Sequence, residues 1–303
     1  GSNLVRHLLE AGDRVRVLDD LSTGHRANLD GVEAELIEGD VRDLELIRRA
    51  CRGTEVVYHL AALPSVARSL ADPGTTNDVN VRGTLSVLLA ARAEGVRRVV
   101  YASSSSIYGD APSLPKEESM PPLPRSPYAA AKLAGEAYCR AFTASLGLET
   151  VSLRFFNVFG PRQDPASPYA AVIPRFASRM LAGEPPVIFG DGRQSRDFTY
   201  VENAVRACRL AAEADGEVAG EVLNVACGRR TSLLELVAML NRLLGTSLEP
   251  AFAAPQPGDV RHSEAAIGRA ERLLGYRPLV GVEEGLAETV AWVARAAPVG
   301  GWS

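Results

Sequence analysis

The chain has 303 residues, 46% of them hydrophobic and 23% charged, with a formal net charge of −4. That is a globular composition with enough length for one large α/β domain or two smaller ones. It lacks the basic footprint of a nucleic-acid binder and any run of about eighteen apolar residues that would cross a membrane. The four cysteines, Cys51, Cys139, Cys208 and Cys227, show no Cys-x-x-Cys spacing. Zinc and a disulfide framework are therefore not expected. With no charged and apolar leader at the start, the expectation is a soluble cytoplasmic enzyme with reduced thiols.

Residues 1–12 carry apolar positions at 4, 5, 8 and 9 and a closing glycine, which predicts a helix. A strand follows at 14–20 and ends in Asp19 and Asp20. A helix-then-strand order calls for an earlier strand. In a dinucleotide-binding βαβ unit an acidic residue follows the glycine fingerprint by about 20 positions, and Asp19 stands 18 positions after Gly1. Gly1 is thus expected to close a Gly-rich turn, with the first strand and most of that turn absent from this sequence. The alternative is that Gly1-Ser2 is a scar of tag cleavage. Strands are then predicted at 34–38, 55–62, 98–102 and 150–156, with helices between them to about 52, from about 80, and from Tyr128 to about 146. This alternation, with strands apolar almost throughout, is the pattern of a parallel sheet covered on both faces. From 157 the rhythm breaks at Pro161, Pro165, Pro168 and Pro174. A strand at 221–225 returns to the sheet, Ser232 and Glu235 form a capping box before a helix to about 244, and a last helix covers about 283–297.

The chemistry concentrates in 101–132. Tyr128 and Lys132 are four residues apart, hence on one helix face, where an ammonium holds down the phenol pKa by favouring phenolate. That is a proton-transfer group usable near neutral pH. The serine run 103–106 stands where the strand at 98–102 ends, and ligands of open α/β sheets bind outside such ends. Taken alone, a Tyr-x-x-x-Lys pair is as a rule only a solvated helix face.

Further short motifs stand beside that pair: VLDD at 17–20, GDVRD at 39–43, HLAA at 59–62, NVRGT at 80–84, RFFNVFGP at 154–161, YAAVIP at 169–174, GDGRQSRDF at 190–198 and GDVR at 258–261. With them the whole sequence resembles the extended short-chain dehydrogenase/reductase superfamily, and within it the nucleotide-sugar 4-epimerases of the UDP-glucose and UDP-N-acetylglucosamine type. The resemblance implies an α/β fold: a Rossmann-type doubly wound parallel sheet over 1–156, rejoined by the strand near 221–226, and a smaller substrate-binding lobe over 157–303. It also implies a tightly held NAD. Gly1 would belong to the pyrophosphate turn, Asp19 with Asp20 would face the adenosine ribose, and Asp40 and Val41 the adenine. Leu60, Ala61 and Ala62 would line the cofactor's path, Asn80 would sit by it, and Lys132 would reach the nicotinamide ribose. For Asp40 a turn carboxylate, and for Asn80 a helix N-cap, are the plain alternatives. Without the upstream strand, these 303 residues are expected to bind NAD poorly.

By the same resemblance Tyr128 takes the proton of the sugar 4-hydroxyl while hydride leaves C4, and the transient 4-ketose turns over before hydride returns. Ser104 is the catalytic hydroxyl and Ser105 its helper; Ser103 and Ser106 are read as satisfying backbone at the strand end. Related 4,6-dehydratases and decarboxylases carry an acid just after that hydroxyl, whereas here Ser105, Ser106 and Ile107 follow. The absence favours epimerisation. For the UDP-sugar, Arg196 and Arg261 are placed to bind the diphosphate, with ordinary surface ion pairs as the alternative. Asn157 would meet the phosphate or sugar, Ala171, Val172 and Ile173 the uracil, and Asp259 the ribose. Gln256 stands where many epimerases have arginine. Ser263, in place of a bulky tyrosine, leaves room for an N-acetyl group at the sugar's 2-position. A homodimer through the helices starting near 80 and 126 is expected. The competing readings are a UDP-uronate 4-epimerase, a reductase, and a non-catalytic NAD-binding protein on the same fold.

Overall fold

The computed structural model describes residues 1–167, 170–255 and 260–296. The first half alternates as its sequence pattern predicts. Helices α1 (Ser2–Glu10), α2 (Leu44–Cys51) and α5 (Gly83–Ala93) alternate with strands β1 (Arg16–Asp19), β2 (Glu35–Glu38), β3 (Val56–His59) and β4 (Arg98–Ser104). Two short helices, α3 (Val66–Ala71) and α4 (Pro73–Asn77), and a π-helical turn at Asp78–Arg82 lead into α5. The long helix α6 (Pro127–Leu146) precedes β5 (Glu149–Phe155). Its limits are written locally. Ser126 accepts a bond from Ala129 N, Pro127 occupies the first turn, and Gly147 closes the helix in the left-handed region at φ 73°.

All strands of this half run parallel. The sheet lies in two pieces among the described residues, β2-β1 and β3-β4-β5-β10, where β10 (Val222–Val225) returns from the second half to pair with β5. Leu4 and Leu8 of α1 pack on one face with Cys208 and Ala211 of α8 (Val201–Glu213) and with Leu274 of α10 (Gly268–Leu274). Ile47 of α2, Leu88 of α5 and Cys139 and Phe142 of α6 cover the other face. The parallel strands are thereby dry on both sides. Helix α6 lies unusually close to β4 because Gly135 has no side chain. A Cβ there would come within 2.2 Å of the Tyr101 hydroxyl.

Asn157 turns the chain out of the sheet at φ 36°, a left-handed conformation that asparagine tolerates better than most residues. The second lobe is built from short pairings: β6 (Val158–Phe159) with β9 (Thr199–Tyr200), β7 (Val187–Phe189) with β12 (Ala251–Ala253), and β8 (Ser195–Arg196) with β11 (Thr231–Ser232). Around them pack α7 (Val172–Leu181), α9 (Leu233–Leu244) and α11 (Val282–Ala296). Their core includes Phe159, Phe176, Phe198, Leu236 and Leu286. The Ser232/Glu235 capping box opens α9.

Candidate active site

β4 ends at Ser104, whose hydroxyl caps the following turn by accepting from Ser106 N at 3.2 Å. On the first turn of α6, burial raises the Tyr128 pKa, and the Ser104 hydroxyl pulls it down. Lys132 lies one turn further along α6 and is 4% exposed. Its Nζ donates to the Ala102 carbonyl at 2.7 Å and lies 5.0 Å from the Tyr101 ring centre. Burial lowers its pKa to about 8, opposed in part by Cys139 and Glu136. Ser104 thus pulls down the phenol pKa, and the Lys132 ammonium is turned onto the end of β4.

Behind these residues lies a buried polar chain that the sequence reading missed. Glu136 follows Lys132 by one more helical turn, so Tyr128, Lys132 and Glu136 stand in one row on α6. Glu136 Oε1 accepts from Ser103 Oγ at 2.5 Å and from Arg154 Nε at 2.9 Å, while Oε2 accepts from Arg154 Nη2 at 2.8 Å. Arg154 also donates to the Tyr108 hydroxyl at 2.8 Å, and that hydroxyl donates to Asn224 Oδ1 at 2.7 Å. Asn224 then holds the Lys116 and Ala266 carbonyls. The chain ties α6, β4, β5 and β10 together. Ser103, read from sequence as satisfying backbone, instead binds a carboxylate, and Ser106 Oγ is buried without a partner among the described residues. The spacing that joined Tyr128 to Lys132 was the available signal for Glu136.

On the cofactor side Asp19 is exposed at the end of β1 and accepts from Leu21 N at 2.8 Å, while Asp20 accepts from Ser22. Asp40 is engaged by the Arg42 guanidinium, which holds its carboxyl below the usual range. Val41 is buried against Gly83 of α5. Leu60, Ala61 and Ala62 are half-buried just beyond β3. Asn80 is neither an N-cap nor exposed. Its amide clamps the Leu63 backbone, accepting from N at 2.7 Å and donating to O at 3.0 Å, and so it shapes the segment after β3. Gly1 is the N-cap of α1.

On the other side a cavity of about 260 Å³ brings together Asn157, Ala171, Val172, Ile173 and Arg196. Arg175, Phe189 and Gln194 also line it, and the sequence reading missed them. Asn157 Nδ2 donates to the Asp197 carbonyl at 3.3 Å and reaches Ser263 Oγ at 3.5 Å. Ser263 therefore lies beside Asn157, one of the residues lining this cavity. The fully buried Asp197 carboxylate fixes that arrangement by accepting from the backbone N–H groups of Cys227, Gly228 and Ala265. Arg196 donates to the Ser195 and Arg261 carbonyls. The Arg261 side chain pairs with Asp191 at 3.2 Å on the surface, the plainer of its two readings. Asp259 and Gln256 lie outside the described residues.

The sequence profile of the NAD dependent epimerase/dehydratase family matches residues 1–226. The chain belongs to that family. It is 41% identical over 297 residues to the UDP-glucose 4-epimerase of Mycolicibacterium smegmatis, covering 96% of this chain and 94% of the relative. Among solved structures, the UDP-glucose 4-epimerase of Thermotoga maritima, determined with UDP-glucose, superposes with a TM-score of 0.93 at 38% identity over 97% of this chain and 95% of that one. The UDP-N-acetylglucosamine 4-epimerase of Methanobrevibacter ruminantium, in complex with UDP-N-acetylmuramic acid, gives 0.92 at 40% identity over 97% and 94%. The family's cofactor can be tested against this chain's own groups. The buried Lys132 ammonium has three donors and, among the described residues, one acceptor in Ala102. A ribose diol supplies the acceptors it lacks. Asp19 offers an exposed carboxylate at a parallel strand end, the environment that binds ribose hydroxyls in such sheets. The residues fit NAD.

Proposed function

We propose that this protein catalyses the NAD-dependent 4-epimerisation of a UDP-hexose. The observation that carries the reading is the row of Tyr128 and buried Lys132 on α6 together with Ser104 at the end of β4, in a site where the turn 105–107 contains no carboxylate. When bound, NAD supplies the hydride acceptor and donor. Lys132 would hold its ribose, and Asp19 the far ribose. Tyr128 accepts the proton of the sugar 4-hydroxyl and gives it back, and Ser104 orients the phenol and stabilises its ionised form. Without an acid next to Ser104 there is no second proton-transfer group to expel the 6-hydroxyl, so the 4-ketose is returned as an alcohol.

Asn157 and Arg196 hold the diphosphate end of the substrate, and the segment 171–173 meets the base. Ser263, within reach of Asn157, leaves volume at the sugar's 2-position, so UDP-GlcNAc is accepted as well as UDP-Glc. Leu89 on α5 and Tyr138 and Leu146 on α6 are exposed, and pairing of these helices across a two-fold would cover them, which supports a homodimer. The free cysteines support a reducing, cytoplasmic compartment. The decisive assay incubates the full-length protein with NAD and UDP-glucose or UDP-GlcNAc and follows the 4-epimers by NMR. Tyr128→Phe should lower turnover by about 10²–10⁴-fold, the span of general-base contributions. Undiminished turnover would remove the basis for this mechanism.

A further inference from the structure

We infer that Arg175 is a base-reading residue: its guanidinium, laid against the Phe189 ring inside the 260 Å³ cavity, donates to a carbonyl of the substrate's pyrimidine. The inference rests on the UDP-sugar reading above and deepens it.

The guanidinium carbon lies 5.5 Å from the Phe189 ring centre. Arg175 is half-buried, and among the described residues its side chain makes neither a hydrogen bond nor an ion pair. Its neighbour one turn along α7, Arg179, is by contrast satisfied by Glu184 and by the Pro185 carbonyl. Burial and the nearby Arg179 charge both lower the Arg175 pKa. Its five donors thus have no protein acceptor among the described residues, and a ligand in the cavity can supply one.

The cavity has a direction. Phe155 of β5 is in register with Ser104, and Asn157 follows two residues later, so the Asn157 end faces the reacting sugar. Arg196 and Asn157 belong to segments tied to one another through Asp197. In a UDP-hexose the sugar and base occupy opposite ends of the diphosphate. The base therefore falls among Val172, Phe176, Val187 and Phe189, on the side of β7 and the body of α7. There a planar heterocycle finds apolar walls, with Arg175 as the polar edge. Because guanidinium can only donate, it selects bases that present acceptors, as uracil does at both C2 and C4.

The test is calorimetric titration of the full-length protein with UDP at about 50 and about 500 mM NaCl, concentrations that bracket strong and weak screening. Wild type is compared with Arg175→Met, which keeps the aliphatic stem, with Arg175→Lys, and with Arg196→Met. Arg175→Met should weaken UDP about tenfold or more, by nearly the same factor at both salts, as expected for a lost bond between a charged donor and a neutral acceptor. Arg175→Lys should recover only part of the affinity, since the planar fork is lost. Arg196→Met should show a loss that shrinks at high salt. A salt-sensitive loss for Arg175→Met would make it a phosphate ligand and overturn the proposal, as would unchanged affinity. Failure of wild type to bind UDP would instead refute the underlying UDP-sugar reading. Thermal melts of each variant separate a folding defect from a binding one. If Arg175→Met does not fold, Arg175→Lys decides, full affinity counting against base reading.

Discussion

Replacing Glu136 by glutamine tests whether the buried chain behind the site holds the catalytic helix. The Glu136 and Arg154 side chains are 5% and 6% exposed, so neither can turn to water. A glutamine carbonyl can keep the place of Oε1, which serves Ser103 and Arg154 Nε. The amide group then meets Arg154 Nη2, donor against donor, where Oε2 now accepts at 2.8 Å. Breaking a buried pair by removing one charge costs about 3–5 kcal/mol, a large part of the 5–15 kcal/mol typical of a folded domain. The expectation is a drop of that size in urea-unfolding free energy near pH 7.5. The double variant Glu136→Gln/Arg154→Met, with no orphaned charge, should recover most of it. Glu136 is also one of the groups that raise the Lys132 pKa against burial. Its neutralisation lets that pKa fall below about 8. The alkaline limb of the pH–rate profile should then move to lower pH, read on the surviving folded fraction. A single variant within about 1 kcal/mol of wild type, as for an exposed ion pair, with an unmoved profile would show that the pair neither anchors α6 nor acts on Lys132.

Three further outcomes follow from the same geometry. Ser104→Ala removes the hydroxyl that pulls the Tyr128 pKa down against burial; turnover at neutral pH should fall, and its acid limb should shift to higher pH in a kcat profile. Lys132→Met should abolish turnover yet stabilise the fold. The folded-state pKa of Lys132 is lowered from 10.5 to about 8, so the cost of burying the ammonium is fully present below pH 8 and is relieved as pH rises from there towards 10.5. Methionine should thus gain up to about 3 kcal/mol below pH 8 and progressively less above it, measured by denaturation at several pH values. Ser263→Tyr should lose UDP-GlcNAc turnover by about tenfold or more relative to UDP-Glc, in line with size-based exclusion; equal losses on both substrates would dismiss the 2-position argument.

The elements that depend on near neighbours in the chain were readable before any coordinates. The capping box at Ser232, the glycine that closes the first helix and the placing of Tyr128 and Lys132 on one helical face all follow from spacing and local hydrogen bonds. The parallel sheet was readable too, because apolar strands alternating with helices leave few other ways to bury both faces. What each polar side chain touches was not. Asn80 grips Leu63, 17 residues away, and Glu136 meets Arg154 at a separation of 18. Asn224 binds Tyr108 across 116 residues. A side chain's partner in such pairs is set by which strand ends the sheet brings together, and no local pattern encodes that. The sequence by itself determined the chemistry available, a strand-end hydroxyl, a phenol and an amine in the right order with no neighbouring acid. Tertiary structure decided how that chemistry is tuned. Burial depresses the Lys132 ammonium, Ser104 draws down the phenol, and Arg175 is left in the cavity without an acceptor among the described residues, because desolvation and close contact exist only once distant segments are packed.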